Sequence, residues 1–234
     1  MHTFGRALPV TVQVNVRTGE IIYTPPQSRD DILRVMPNLE NVINDESFYP
    51  VDPLIKMAVI HYQFESIHPF YDGNGRTVRI INIFLLILNG LLDIPVLYLS
   101  RYIIRSKDEY YRLLQAVRDE NAWEAWVFYM LKGVEVTALD TIAIIQSIRS
   151  LMARYKTEIR SKLPKIYSQD LLNNLFTHPY TKIEFVERDL QVTRQTASKY
   201  LDQLTDAGLV KREKIGRHNF YINQPLFSVF KDTP

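Results

Sequence analysis

The sequence predicts a mainly helical protein with a short β-hairpin near its start and a smaller mixed α+β module at its end. Three observations carry this expectation. Apolar residues recur at helical spacing over most of residues 28–160. Strict alternation is confined to Val10, Val12, Val14 and Val16, interleaved with Thr11, Gln13 and Asn15. Beyond residue 160 the pattern changes to short capped helices and two basic strand-like runs.

Taken in order, the alternating run is a half-buried strand. Arg17-Thr18-Gly19-Glu20 supplies a turn, and Ile21, Ile22, Tyr23 and Thr24 form the returning strand, stopped by Pro25-Pro26. Residues 28–44 carry Ile32, Leu33, Val35, Met36, Leu39, Val42 and Ile43 at helical spacing, with Pro37 expected to break or kink the helix. Asp52-Pro53 opens the next helix, where Leu54, Ile55, Ala58, Val59, Tyr62 and Phe64 feed a core and His68 closes the element. The apolar run from Val78 to Leu88 predicts a buried helix starting near Asn74 or Gly75. A polar helix over residues 106–118 contains Tyr110-Tyr111, with Arg118 and Asn121 close by. Trp123, Trp126, Phe128 and Tyr129 begin a core helix, and residues 137–160 continue as a long helix to a boundary at Lys162-Leu163-Pro164. The expected domains are therefore 1–160 and 161–234.

Composition sets outer limits. The chain of 234 residues is 46% hydrophobic and 23% charged, as in an ordinary folded protein of two compact units. It has no Cys, which excludes disulfides and thiol-based zinc sites or catalysis. Met1 to Arg6 lacks a signal peptide's apolar core, and the longest apolar run, 80–92, is interrupted by Asn82, Asn89 and Gly90, so a cytoplasmic, membrane-free protein is expected. Charge is uneven: residues 160–234 hold 12 Lys plus Arg against 8 Asp plus Glu, while residues 1–159 hold 16 against 18.

The chemistry concentrates in residues 68–79, His-Pro-Phe-Tyr-Asp-Gly-Asn-Gly-Arg-Thr-Val-Arg. Gly73 and Gly75 can take positive φ, so the amides around Asn74 can form an anion-binding nest at a helix N-terminus. Arg76 and Arg79 stand three apart on one helix face, as a clamp for phosphate oxygens. Asp72 is a hard oxygen ligand placed for a nucleotide-bound Mg²⁺. His68, biased to extended backbone by Pro69, can take a proton from an attacking hydroxyl. Competing readings fail on their letters. A P-loop needs Lys-Ser/Thr where Arg76-Thr77 stands, and an EF-hand begun at Asp72 needs Gly and Glu where Thr77 and Ile83 stand. Glu65-x-x-His68 has the spacing of one half of a di-iron cage, but no second Glu-x-x-His exists.

This segment resembles the Fic family motif His-Pro-Phe-x-Asp-Gly-Asn-Gly-Arg-x-x-Arg at all nine fixed positions, and the likeness extends over roughly residues 10–135. The resemblance implies a Fic-type helical domain that transfers AMP from ATP to a Ser, Thr or Tyr hydroxyl of a target protein. It implies His68 as general base, Asp72 as Mg²⁺ ligand, and Gly73, Asn74, Gly75 and Thr77 as a phosphate cradle. Arg76 and Arg79 would be the β- and γ-phosphate ligands, Phe70 a core anchor, and Tyr110 and Tyr111 the adenine pocket. By the same resemblance the hairpin is a flap, with Ile21, Ile22, Tyr23 and Thr24 holding the target segment by strand addition. The family's inhibitory Ser/Thr-x-x-x-Glu helix has no counterpart, since no Ser or Thr here is followed by Glu at the fourth position. The brake is expected to be lost or to sit on another polypeptide. A different donor, such as another nucleotide or phosphocholine, keeps the fold and changes the chemistry.

In the last segment, residues 167–176 form an apolar helix ended by His178-Pro179. Thr181 with Glu184 reads as a capping box for a short helix to Leu190, and Thr193 caps a helix over 194–207 closed by Gly208. Ala197, Leu201 and Leu204 face inward, leaving Arg194, Gln195, Ser198 and Lys199 outward. Residues 209–215 and 219–222 are strands around a basic Gly216-Arg217 turn. This arrangement resembles a winged helix-turn-helix, with Arg194, Gln195, Ser198, Lys199 and Arg217 as DNA contacts. Docking or homodimerisation is the competing use. A nucleotide-sensing, DNA-binding transcriptional regulator is accordingly the alternative to the enzyme.

Overall fold

The computed structural model describes Gln13–Val14 and residues 21–231, and it is mainly helical with small antiparallel sheets. The chain divides into two compact units, Met1–Leu139 and Asp140–Pro234. The division falls inside one helix, earlier than Lys162-Leu163-Pro164, which marks only that helix's end. No helix among the described residues is long and apolar enough to cross a membrane.

In the first unit, β1 (Gln13–Val14) pairs antiparallel with β2 (Ile21–Tyr23). The rest of the expected first strand and its turn lie outside the described residues. Helix α1 (Arg29–Asn44) is capped by Ser28, whose hydroxyl accepts from the Asp31 amide at 3.0 Å. Contrary to expectation, Pro37 neither ends nor interrupts α1. The carbonyl deprived of its N–H partner belongs to Leu33, which is exposed, so water can satisfy it. Helix α2 (Pro53–Ile67) begins as predicted, with the Asp52 carboxylate accepting from the Leu54 amide at 2.8 Å. Its buried face is Met57, Ala58, Ile60, His61, Phe64 and Ile67, while Ile55 is exposed.

Helix α3 (Asn74–Leu88) starts where the glycines suggest, but it is amphipathic rather than buried all round. Val78, Asn82, Leu85 and Leu86 face the core, whereas Ile80, Phe84 and Leu88 are exposed. From Ile83 to Leu88 every residue is apolar, which leaves no period from which to read this division. Helix α4 (Leu99–Arg105), not foreseen from the sequence, leads to α5 (Lys107–Glu120). Helix α6 (Trp123–Lys162) then supplies Trp126, Tyr129 and Met130 to the first core, with Phe128 exposed instead of buried. Trp126 is fully buried, and its indole N–H donates to the Ala58 carbonyl at 2.8 Å, tying α6 to α2.

The second unit takes Leu151, Tyr155 and Ile159 from the end of α6. It continues through α7 (Gln169–Thr177), β3 (Tyr180–Thr181), α8 (Ile183–Leu190), α9 (Arg194–Asp206), β4 (Lys211–Ile215), β5 (His218–Ile222) and α10 (Gln224–Lys231). The strands form an antiparallel sheet in the order β3-β5-β4. Thr193 caps α9 as expected, and Ala197, Leu201 and Leu204 are fully buried. The expected capping box at Thr181 does not form. Thr181 is drawn into β3 opposite Tyr221, and its buried hydroxyl donates to Asn174 Oδ1 at 2.7 Å, so Lys182 opens α8 without a side-chain cap.

Candidate active site

In the first unit, α2 ends and α3 begins on either side of residues 68–73, and this junction builds a cavity of about 430 Å³. Its walls include His68, Asp72, Gly73, Asn74, Gly75, Arg76 and Arg79 from the motif segment, and Tyr110 and Tyr111 from α5. Thr77 is not on the wall; its hydroxyl donates to the Gly73 carbonyl at 3.0 Å.

His68 is not extended. It closes α2 in the left-handed region, φ 51° and ψ 55°, with its amide donating to the Phe64 carbonyl at 2.9 Å. The closing hydrogen bond outweighs the bias from Pro69. Gly73 has φ 88°, which a side chain rarely tolerates, whereas Gly75 lies inside α3 with ordinary helical backbone. Gly75 is needed for close approach instead: a Cβ there would stand 3.1 Å from Arg79 Nη1 and 3.3 Å from Glu65 Oε1.

Asn74 is nearly fully buried and staples the loop. Its Oδ1 accepts from the Phe70 amide at 2.9 Å, and its Nδ2 donates to the Phe70 carbonyl at 2.6 Å. Its side chain is thereby occupied, and what it can offer a ligand is its amide. Phe70 is not a core anchor; the residue is 37% exposed, with its ring centroid 6.2 Å from that of Phe64. Among the described residues no side chain caps α3 at Gly73, so the helix presents first-turn amides at the positive end of its dipole. Beside them Arg76 holds Asp72 at 2.8 Å in a solvent-exposed pair, an interaction weak enough to exchange for a ligand.

Behind the wall is a buried polar network. The Asn82 amide donates to His61 Nδ1 at 2.8 Å, which leaves the ring proton on Nε2 to be given to the Tyr110 hydroxyl at 2.9 Å. Burial, followed by the charge of Arg79, drives the His61 pKa down to about 3, so the ring is neutral. Tyr110 is almost wholly buried and Tyr111 is 44% exposed, the two rings meeting edge to face at 5.2 Å. Burial also lowers the pKa of His68, keeping its imidazole neutral and able to accept a proton.

The hairpin is tied to this site. The Tyr23 hydroxyl donates to the Ser66 carbonyl at 2.8 Å, two residues before His68, and the Arg118 guanidinium lies 3.7 Å over the Tyr23 ring. Ile21 and Ile22 are in β2, and Thr24 follows it, exposed. Sequence reasoning missed five wall residues: Glu65, Tyr71, Ile103, Ile104 and Lys107. The last three depend on how α4 and the start of α5 fold back, for which no local signal exists.

In the second unit, Arg194, Gln195 and Lys199 on α9 are exposed and Ser198 is half-buried. Arg217 is exposed in the β4–β5 turn, after Gly216 at φ 60°.

Residues 3–86 match the Fic/DOC family, and residues 151–226 match the family described as "Protein adenylyltransferase SoFic-like, C-terminal domain". The chain thus carries a Fic/DOC family domain followed by a SoFic-like C-terminal domain. It is 32% identical over 141 residues to protein adenylyltransferase fic-1 of Caenorhabditis elegans, covering 58% of this chain and 26% of that one. It is 39% identical over 82 residues to a probable protein adenylyltransferase of Aquifex aeolicus, covering 32% of this chain and 25% of that one. The chain thus spans about a quarter of the length of these curated relatives. Among solved structures, a Fic family protein from Desulfovibrio desulfuricans G20 matches 86% of this chain and 57% of that chain, with TM-score 0.46 and 19% identity.

Proposed function

We propose that this chain is a protein adenylyltransferase that moves AMP from Mg²⁺-ATP to a Ser, Thr or Tyr hydroxyl of a target protein. The observation that most supports this reading is the shared cavity: a neutral imidazole, an uncapped helix N-terminus and two guanidiniums line one space of about 430 Å³. In this reading the phosphates lie over the first-turn amides of α3 from Gly73 to Gly75, with Arg76 and Arg79 on the β- and γ-phosphates. The adenine lies against Tyr110 and Tyr111. A target segment adds as a strand to β2, bringing its hydroxyl toward His68.

His68 Nε2 accepts the hydroxyl proton as the oxygen bonds to the α-phosphorus. The bond from that phosphorus to the bridging oxygen breaks, and diphosphate leaves with the electron pair, its charge held by the arginines. Asp72 fits a Mg²⁺ brought in by the nucleotide. That ion keeps most of its waters and needs only one or two carboxylates beside the phosphates, and the Asp72 side chain is 80% exposed at the cavity rim. When bound, the ion supplies charge neutralisation on the leaving diphosphate. Among the described residues, no group of three His, Cys, Asp or Glu could hold a metal independently.

The test is mass spectrometry of a cell extract incubated with the chain, ATP and Mg²⁺. Protein adducts of one AMP are expected, and none with His68→Ala; adducts formed equally by both would refute the assignment of His68.

A second reading concerns the C-terminal unit, and the exposure of Arg194, Gln195, Lys199 and Arg217 favours it. As a winged helix-turn-helix, the unit would set α9 in a DNA groove and the β4–β5 turn against the backbone, making the chain a nucleotide-sensing regulator. Binding to a genomic fragment that weakens with salt and survives His68→Ala is expected on that reading; no binding at low salt removes it.

A further inference from the structure

We infer that Glu65 is a positioning residue for His68: its carboxylate, buried in the cavity wall behind the imidazole, receives the charge that His68 acquires when it takes the target's proton. The inference rests on the adenylyltransferase reading and extends it to a residue outside the twelve-residue motif.

Glu65 lies one turn before His68 on α2, and its side chain is 7% exposed. Its Oε2 is 3.9 Å from His68 Nδ1, the ring nitrogen opposite the one assigned to the target proton. Neither His68 Nδ1 nor Glu65 Oε1 has a hydrogen-bond partner among the described residues. A buried ring nitrogen with no bond, beside a buried carboxylate whose nearer oxygen stands 3.9 Å away, is costly unless the arrangement serves a state not yet reached. Protonation of Nε2 creates that state. Nδ1 already holds the ring's own proton when Nε2 acts as the base, so the transfer adds a positive charge, and the carboxylate stands within ion-pair range of it. The Glu65 backbone carbonyl is a second nearby acceptor and raises the His68 pKa, so the side chain's contribution is chiefly its charge.

The charged surroundings determine the pH dependence. Glu65 faces Arg79 from α3, and Arg118, Tyr110 and Tyr111 from α5, besides His68 at the end of its own helix. Burial is the largest influence and raises its pKa to about 7, against the lowering effects of Arg79 and Arg118. Above that pH the carboxylate is ionised and His68 is neutral, which is the reactive pair. As pH falls through 7 the carboxyl takes a proton and the support is lost.

The experiment is ¹⁵N-histidine NMR of the full chain against pH, with the His68 signals assigned by their loss in His68→Gln. The wild type is expected to show two inflections, the upper one near pH 7, and Glu65→Gln only the lower one. Superimposable curves for the two proteins would overturn the inference. Glu65→Asp, which withdraws the charge by one methylene, is expected to shrink the upper inflection; an unchanged one would count equally against the pairing. In AMP transfer, Glu65→Gln is expected to lower kcat about tenfold, leave KM for ATP within about twofold, and lose the rate's rise through pH 7. An unaltered pH profile would also overturn it. If the wild type transfers no AMP while the upper inflection is present and vanishes in Glu65→Gln, the adenylyltransferase reading fails and the Glu65–His68 charge coupling stands.

Discussion

Asn223 in the second unit and Glu65 in the first are both hidden from water, 1% and 6% exposed, yet they are treated oppositely. Asn223 donates to the Leu175 carbonyl at 3.1 Å and accepts from the Tyr155 hydroxyl at 2.9 Å and the Leu226 amide at 3.1 Å. Asn174 is likewise satisfied by Thr181 and Asp189. In the first unit, Glu65 Oε1, His68 Nδ1 and Asn82 Oδ1 have no such partner among the described residues, and two of the three side chains line the cavity. A buried polar group that is fully paired holds a fold together. One left unpaired beside a cavity marks where a ligand or a charge is expected.

The contrast predicts that changes near the cavity alter chemistry and changes in the second unit alter stability. The largest effect is expected from His68→Ala, which should lower AMP transfer by about 10²–10⁴-fold, the usual contribution of a positioned base. Its melting temperature should stay close to wild type, because the His68 side chain is 22% exposed. A melting shift as large as the rate loss would break the contrast.

Tyr155→Phe tests the other side. It removes the donor to the Leu209 carbonyl at 2.6 Å and to Asn223, and should cost about 1–3 kcal/mol in denaturant titrations while leaving AMP transfer unchanged.

Acid should separate the units further. The His61 pKa is held near 3, so the folded first unit refuses a proton that the unfolded chain takes below about 6.5. Glu65 works the other way: its pKa near 7 means that the folded unit keeps a proton the unfolded chain releases above about 4.5. Between about pH 4.5 and 6.5 these two slopes offset, and the lowered pKa of His68 adds a fall that begins just below 6.5. Below 4.5, of these two groups His61 alone acts, and its share of stability should fall by about 1.4 kcal/mol per pH unit. Both tryptophans, Trp123 and Trp126, are in the first unit, so tryptophan fluorescence reads that unit alone. A fall of the full His61 slope sustained across the whole range from about pH 6.5 to 4.5 would show that Glu65 is not held protonated.

The smallest effect is expected from Gly75→Ala. Its Cβ must displace Arg79 or Glu65, which should raise KM for ATP about tenfold, or about 1.4 kcal/mol, with the fold intact.

The parts of the site legible in the sequence were those written into backbone chemistry. Gly73 announced a positive φ, and the letters after it announced the start of α3; Asp52-Pro53 and Thr193 announced two helix caps. Residues whose place depends on a second element were not legible. Glu65 looked like half of a metal-ligand pair because its spacing to His68 is local, while the burial that defines it comes from α3 and α5. Ile103, Ile104 and Lys107 reach the cavity only through α4, and Thr181 was claimed by a strand partner forty residues away, Tyr221. Pro37 shows the same limit, since the residue whose carbonyl it deprives, Leu33, lies on the exposed side of α1.

The most direct measurement uses two ATP samples, one labelled at the α-phosphate and one at the γ-phosphate, each incubated with Mg²⁺, the chain and a cell extract. Transfer to protein of the α label alone, lost with His68→Ala, is the predicted result. Transfer of the γ label, or α labelling that persists without His68, would contradict the account.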